Sequence, residues 1–272
     1  MKIWHPNNVD YVPLSALSKY CNDGYYDIID ANESIKLQVF LKSYEDHSRS
    51  QNLEPFNHTL YQDLPYSIHT KVWKERQKDL KIIDELLQNK PNSNILDVGS
   101  WNGWLSNRLS INGHNVVAVN IFTDEINGLK SQKNYDTKFI SLHLLPHEIY
   151  RIKHSFDVII FNRNWAHLQN RGKIFNDAKN RLTKNGIIVF TGLAIYKNST
   201  SIRKTLKIAD EEFRNKYGIP LYFFNSKGYL DYSDLPFFRS RKIKLFEYHP
   251  LRSLIKTFFS KKAKLYYGIY QK

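Results

Sequence analysis

The chain is nearly devoid of sulfur: of 272 residues, one is cysteine, Cys21, and one is methionine. A lone cysteine cannot close a disulfide within the chain, and it cannot supply a cysteine-rich zinc site. No apolar run approaches the roughly 18 residues a membrane-spanning helix needs, and no basic-then-apolar leader opens the chain. The expected location is therefore cytoplasmic. Glycine is also scarce, at 11 residues, so two glycines four positions apart stand out. Acidic residues are outnumbered 26 to 40 by Lys and Arg, leaving a net charge of +14. Such a balance attracts polyanions, but abundant Lys, Asn, Ile and Tyr beside few Ala and Gly also suits a compositional drift with no partner behind it. Nucleic acid stays open as a partner without being favoured.

What is present is a series of short apolar runs at regular intervals. Apolar strand candidates recur at 94 to 98, 115 to 121, 138 to 142, 156 to 161 and 186 to 191, with helical patterns at 104 to 112 and 170 to 182. Alternation of this kind predicts a parallel sheet with helices on both faces. Trp73, Leu80, Ile83 and Leu87 share one helical face, and Pro91 follows as a stop signal. Ile202, Leu206, Ala209, Phe213 and Tyr217 predict a second amphipathic helix over 201 to 217. Strand candidates at 242 to 248 and 264 to 270 close the chain. Residues 1 to 70 show no sustained period and are expected to form a loop-rich extension or cap before a domain at 71 to 272.

The densest signal is Asn94-Ile95-Leu96-Asp97-Val98-Gly99-Ser100-Trp101-Asn102-Gly103-Trp104-Leu105. It reads as a strand ending near an acid, a glycine turn and a helix whose first N–H groups are unpaired, which together can hold an adenosine-containing ligand. A dinucleotide fingerprint needs a bare second glycine so that pyrophosphate can reach the backbone, and Trp101 stands there instead. A ligand without phosphates fits better.

This stretch resembles the first motif of the class I S-adenosylmethionine-dependent methyltransferases, of the type 11 kind. The resemblance continues through Gly113 to Asn120, Phe156 to Asn162 and Asn185 to Phe190, which look like the second, fourth and fifth strands of that fold. Val72-Trp73-Lys74-Glu75-Arg76 is similar to the helix that precedes its first strand. The implied fold is α/β: a Rossmann-like doubly wound sheet, mostly parallel, with an antiparallel C-terminal strand pair and an N-terminal cap. The implied activity is methyl transfer from S-adenosylmethionine to a small-molecule acceptor. Asp97 would lie near the methionyl amino group, with Gly99, Ser100, Trp101 and Gly103 around the methionyl and ribose parts and Arg76 pairing with the methionyl carboxylate. The second strand ends in Asn120 and Ile121, where the family usually has an acid for the ribose hydroxyls. An amide can still accept there, without charge assistance.

The acid that commonly follows the third strand and meets the adenine amino group is absent; its place falls near Ser141 to Leu144, where His143 or a backbone carbonyl such as that of Leu144 would substitute. Asn162 ends the fourth strand at the ligand side of the sheet. His167, in the loop beyond, matches a histidine common in relatives and is the candidate proton acceptor; a scaffold histidine is the alternative. No metal site is implied. The missing acids keep open a catalytically inactive partner or regulatory protein of the same fold, and the charge keeps open an RNA methyltransferase. Residues 251 to 262 combine an apolar stripe with lysines, suiting either packing on the sheet or an anionic surface. Tyr61, Tyr66, Tyr222, Phe223, Phe224 and Tyr229 are aromatic candidates for a substrate cleft.

Overall fold

A computed structural model of the protein describes residues 1–5, 10–50, 58–249 and 263–272. The basic stretch at 251 to 262 lies outside the described residues.

The five apolar runs form adjacent parallel strands. β5 (Asn94–Val98), β6 (Asn115–Asn120), β7 (Ile140–His143), β9 (Phe156–Asn162) and β10 (Leu182–Tyr196) lie in the order β10-β9-β5-β6-β7. Near-continuous Val, Ile and Leu suit strands buried on both faces, and these are. One face carries α2 (Lys71–Leu87) and α3 (Trp104–Ile111), whose Trp73, Leu80, Ile83, Trp104 and Leu105 pack on Ile95, Val116, Val158, Ile160 and Val189. The other packs Leu96, Val119, Ile159, Phe161 and Phe190 against Ile174, Phe175 and Ala178 of α4 (Arg171–Asn180).

Beyond β10, the antiparallel pair appears as expected: β13 (Lys264–Gln271) runs against β10, and β12 (Lys244–Glu247) against β13. β10 runs past the expected end at 191, turning at Gly192 (φ 64°), and pairs in parallel with β11 (Leu230–Asp231). Between them lies α5 (Thr200–Tyr217), followed after β11 by α6 (Leu235–Ser240). The five apolar positions foreseen for α5 are all at least partly buried, but only Phe213 fully so, and this helix packs shallowly.

The N-terminal segment carries short strands and one long helix. β1 (Lys2–Trp4), β2 (Tyr11–Pro13) and β8 (Ile152–Lys153) form a small antiparallel sheet, and β3 (Cys21–Asn22) and β4 (Tyr25–Asp27) extend the main sheet alongside β7. Ile3, Leu17 and Ile28 belong to the central core. Ala31–Ser50 is a 20-residue helix, α1. Its inward stripe, Leu37, Phe40, Leu41 and Tyr44, keeps helical spacing, but exposed Ile35 and Val39 on the opposite side blur the period in the sequence. With Ile121, Phe122, Phe223 and Phe224 this stripe builds an apolar roof beside the end of β6.

Candidate active site

Strand alternation sends every second side chain to one face, so the polar residues ending the central strands can be placed by parity. Asp97 follows Ile95, Asn120 follows Val116 and Ala118, Asn162 follows Val158 and Ile160, and Thr191 follows Ile187 and Val189. All four therefore lie on the face covered by α2 and α3, at the carboxyl ends of the strands. Ligands of open α/β sheets bind at this edge.

Asp97 is 1 % exposed. Its Oδ2 accepts a hydrogen bond from Ser106 Oγ at 2.8 Å, while Oδ1 has no partner. Burial, only partly offset by the Ser106 bond, pushes its pKa up to about 7. The loop that follows turns three times through the left-handed region, at Gly99 (φ 73°), Trp101 (52°) and Gly103 (76°). Gly99 and Ser100 donate their N–H groups to the Val119 carbonyl at 2.7 and 3.0 Å, anchoring the turn to β6. A Cβ on Gly99 would run into the Asn164 amide, and one on Gly103 would sit 2.8 Å from the Phe139 ring. Ser100 Oγ, Asn102 Nδ2 and Asn164 Oδ1 are buried without partners, like Asp97 Oδ1. Buried polar groups are rarely left unpaired, so four around one loop offer hydrogen bonds to ordered water or to a polar ligand.

Arg76, on α2, holds its guanidinium 4.7 Å from the ring centres of both Trp73 and Trp101. Desolvation, then the neighbouring Arg163, lower its pKa to about 10, which leaves it charged at neutral pH. The guanidinium N–H groups face no acceptor among the described residues, so an anionic group beside Trp101 would be matched in charge and geometry.

The remaining positions foreseen from sequence are arranged differently. Asn120 donates from Nδ2 to the Trp101 carbonyl at 2.8 Å and accepts from the Ile121 N–H at 2.9 Å, so its amide clamps the glycine loop and keeps one lone pair of Oδ1 for a ligand. His143 is engaged at both ring nitrogens, with Asp27 at 3.0 Å and the Ile121 carbonyl at 3.1 Å. Leu144 is fully buried in the core and Ile121 packs under the aromatic roof. His143 and the Leu144 side chain are thus engaged within the protein, His143 because the N-terminal strand β4 brings Asp27 onto the β7 edge. Asn162 donates to Thr191 Oγ1 at 2.6 Å and to Asp79 Oδ2 at 3.3 Å.

That last contact opens a network motif reading did not foresee. Asp79 of α2 is fully buried and paired with Arg163, which also reaches Glu75 at 3.1 Å. Tyr248 donates to Asp79 and accepts from the Gly192 N–H at 2.9 Å. Burial raises the pKa of Asp79, opposed chiefly by Arg163. The only signal in sequence was an acid at 79 on the apolar face of an otherwise regular helix.

His167 lies in a short 3-10 turn, Trp165–His167, its ring 5.5 Å from that of Tyr222 and without a hydrogen-bond partner among the described residues. One edge is open to solvent, yet the protein crowded around the imidazole outweighs that exposure and lowers its pKa below 6.5. It is neutral at pH 7 and able to accept a proton. Of the aromatic candidates, Tyr222 and Tyr229 lie near His167, whereas Phe223 and Phe224 build the roof, Tyr61 bonds the Ile126 carbonyl and Tyr66 is exposed beneath Arg108. Among the described residues, no three His, Cys, Asp or Glu side chains are grouped to hold a metal ion, and no helix is long and apolar enough to cross a membrane.

A family profile described as "Methyltransferase domain" matches residues 72–256. The chain belongs to this methyltransferase-domain family. No curated protein matches it by sequence. Among solved structures, it is similar to a protein from Galdieria sulphuraria provisionally named sarcosine dimethylglycine methyltransferase: 13 % identity, 85 % of this chain and 98 % of that one covered, TM-score 0.53. The plantazolicin methyltransferase BpumL, in complex with a pentazolic desmethylPZN analog and SAH, is 12 % identical over 90 % of this chain and 100 % of its own, with TM-score 0.52. TehB from Haemophilus influenzae is 14 % identical over 76 % of this chain, TM-score 0.46, and the match spans only 63 % of TehB. At such identities the methyltransferase likeness is one of fold: the Rossmann-like sheet with its antiparallel C-terminal pair.

Proposed function

We propose that this methyltransferase-domain protein transfers a methyl group from S-adenosylmethionine to a small-molecule acceptor. The observation that carries the reading is the fully buried, half-partnered carboxylate of Asp97 beneath a loop of unmatched polar atoms. A carboxylate there asks for a cationic donor, and the methionyl ammonium is one. Arg76 would hold the methionyl carboxylate, Ser100 and Asn102 would complete the polar contacts of Gly99 to Gly103, and the spare lone pair of Asn120 would accept from a ribose hydroxyl. Bound there, the sulfonium supplies an already activated methyl group, so the protein's work is alignment, exclusion of water and removal of a proton. His167, neutral and unbonded, is the proton acceptor for the nucleophile.

Calorimetric titration with S-adenosylmethionine and S-adenosylhomocysteine tests this directly. Saturable binding of both, lost in Asp97→Ala, is expected; no binding by well-folded wild type would refute it. That negative result would favour a second reading, an inactive methyltransferase-like partner protein. The Asn120 amide on the Trp101 carbonyl and the Asn164 amide against Gly99 give that reading its physical motive, since both tie the loop to the protein itself.

A further inference from the structure

The loop after β9 serves two places at once. Asn164 donates to the Val98 and Gly99 carbonyls at the glycine turn, and its neighbours Arg163, Trp165, Ala166 and His167 line a cavity of about 140 Å3 on the side toward β10 and β11. We propose that this cavity takes a neutral, single-ring hydroxyl compound of the phenol type as the methyl acceptor, an inference that rests on the cofactor reading above.

Size, polarity and charge each narrow the choice. The volume is close to that of an engineered cavity of roughly 150 Å3 that admits benzene, so one six-membered ring fills it. Leu193, Ala194, Leu230, Tyr196 and Tyr229 give it an apolar and aromatic side, and Arg163 and His167 a polar one, so it suits a ring that carries one polar group. No carboxylate lines it, which leaves a protonated amine without a counter-ion beside Arg163. Arg163 in turn is already matched by Asp79 and Glu75, so it offers no surplus charge to an anion. A neutral hydroxyl meets neither objection. His167 lines the same cavity, its ring nitrogens without a hydrogen-bond partner among the described residues, and would receive the hydroxyl proton. In the transfer, an oxygen–methyl bond forms as the carbon–sulfur bond breaks, the sulfur keeps the electron pair as a neutral thioether, and the hydroxyl proton passes to His167.

The test uses the full chain with phenol, benzoate and benzylamine as probes, titrated without cofactor and followed by calorimetry. Phenol is expected to bind about tenfold more tightly than either charged analogue. Ala194→Phe fills the cavity and is expected to weaken phenol binding by about tenfold or more while the S-adenosylmethionine dissociation constant stays put. Ala166→Leu repeats the measurement should the first variant misfold. With cofactor present, mass spectrometry should detect anisole. Equal binding of the three probes, or phenol binding unmoved in a folded filled variant, would overturn the cavity assignment even if S-adenosylmethionine binds normally. Phenol binding without any S-adenosylmethionine binding would overturn the acceptor role and the cofactor reading together.

Discussion

Replacing Asp97 by Asn separates electrostatics from shape at the carboxylate on which the functional reading stands. Asn has the same outline and can still accept from Ser106, but it cannot ionise. In the folded chain the Asp97 pKa is pushed from the ordinary 3.8 to about 7 by burial, so between these values the native state holds a proton that the unfolded chain has released. Stability therefore falls as pH rises across that window, by about 4 kcal/mol at most, and no further fall from this group follows above it. The histidines His114, His147 and His167 have pKa values lowered by desolvation and act in the opposite sense, gaining stability as pH rises, so wild type alone would blur the effect. The difference between Asp97→Asn and wild type removes them. Urea unfolding at about pH 4 and about pH 8 should show the variant gaining up to about 4 kcal/mol on wild type over that range, on top of a constant offset from its unpaired amide nitrogen. Ligand binding should run the other way: wild-type affinity for S-adenosylmethionine should climb by up to about tenfold per pH unit below 7, and the variant should bind weakly at every pH. A pH-independent stability difference would refute the buried, uncompensated carboxylate; a variant that binds as well as wild type would remove the ammonium contact.

Gly103→Ala should cost about 1 to 2 kcal/mol in urea unfolding, because its φ of 76° and the Phe139 ring at 2.8 Å both oppose a Cβ. Asp79→Asn should cost about 3 kcal/mol by leaving Arg163 and Tyr248 without their carboxylate, and a thermal unfolding midpoint equal to wild type would show that the pair is not structural. Asn120→Asp should loosen the glycine loop and weaken S-adenosylmethionine binding, since a carboxylate would face the Trp101 carbonyl now held at 2.8 Å; tighter binding would mean that the ribose contact outweighs the clamp. His167→Gln should keep cofactor affinity within a factor of about two and lose most turnover, with wild-type activity falling as acid protonates the imidazole.

The central strands and α2 to α4 were legible because each buries a face continuous in sequence: Ile95 to Val98, Val116 to Val119, Val158 to Phe161 and Ile187 to Phe190 carry their own hydrophobic signal. The glycine turn was legible for the same local reason, since backbone freedom at Gly99 and Gly103 and the acid at 97 all fall within one short segment. α1 escaped notice because its buried stripe competes with Ile35 and Val39 on the exposed side. β3 and β4 escaped because strands of two and three residues carry no period at all.

By itself, then, the sequence determined the central strands, their parallel order and the position of the glycine loop, each a property of neighbouring residues. The partners were decided in three dimensions. His143 became a strut because β4, from more than a hundred residues upstream, brings Asp27 to it; Arg163 became a neutralised cation because α2 brings Asp79; Asn120 turned inward because Trp101 offers a carbonyl across the loop. A side chain's chemistry depends on which charges and dipoles it meets and how much water it loses, and both are set by residues distant in sequence that only the folded chain makes neighbours.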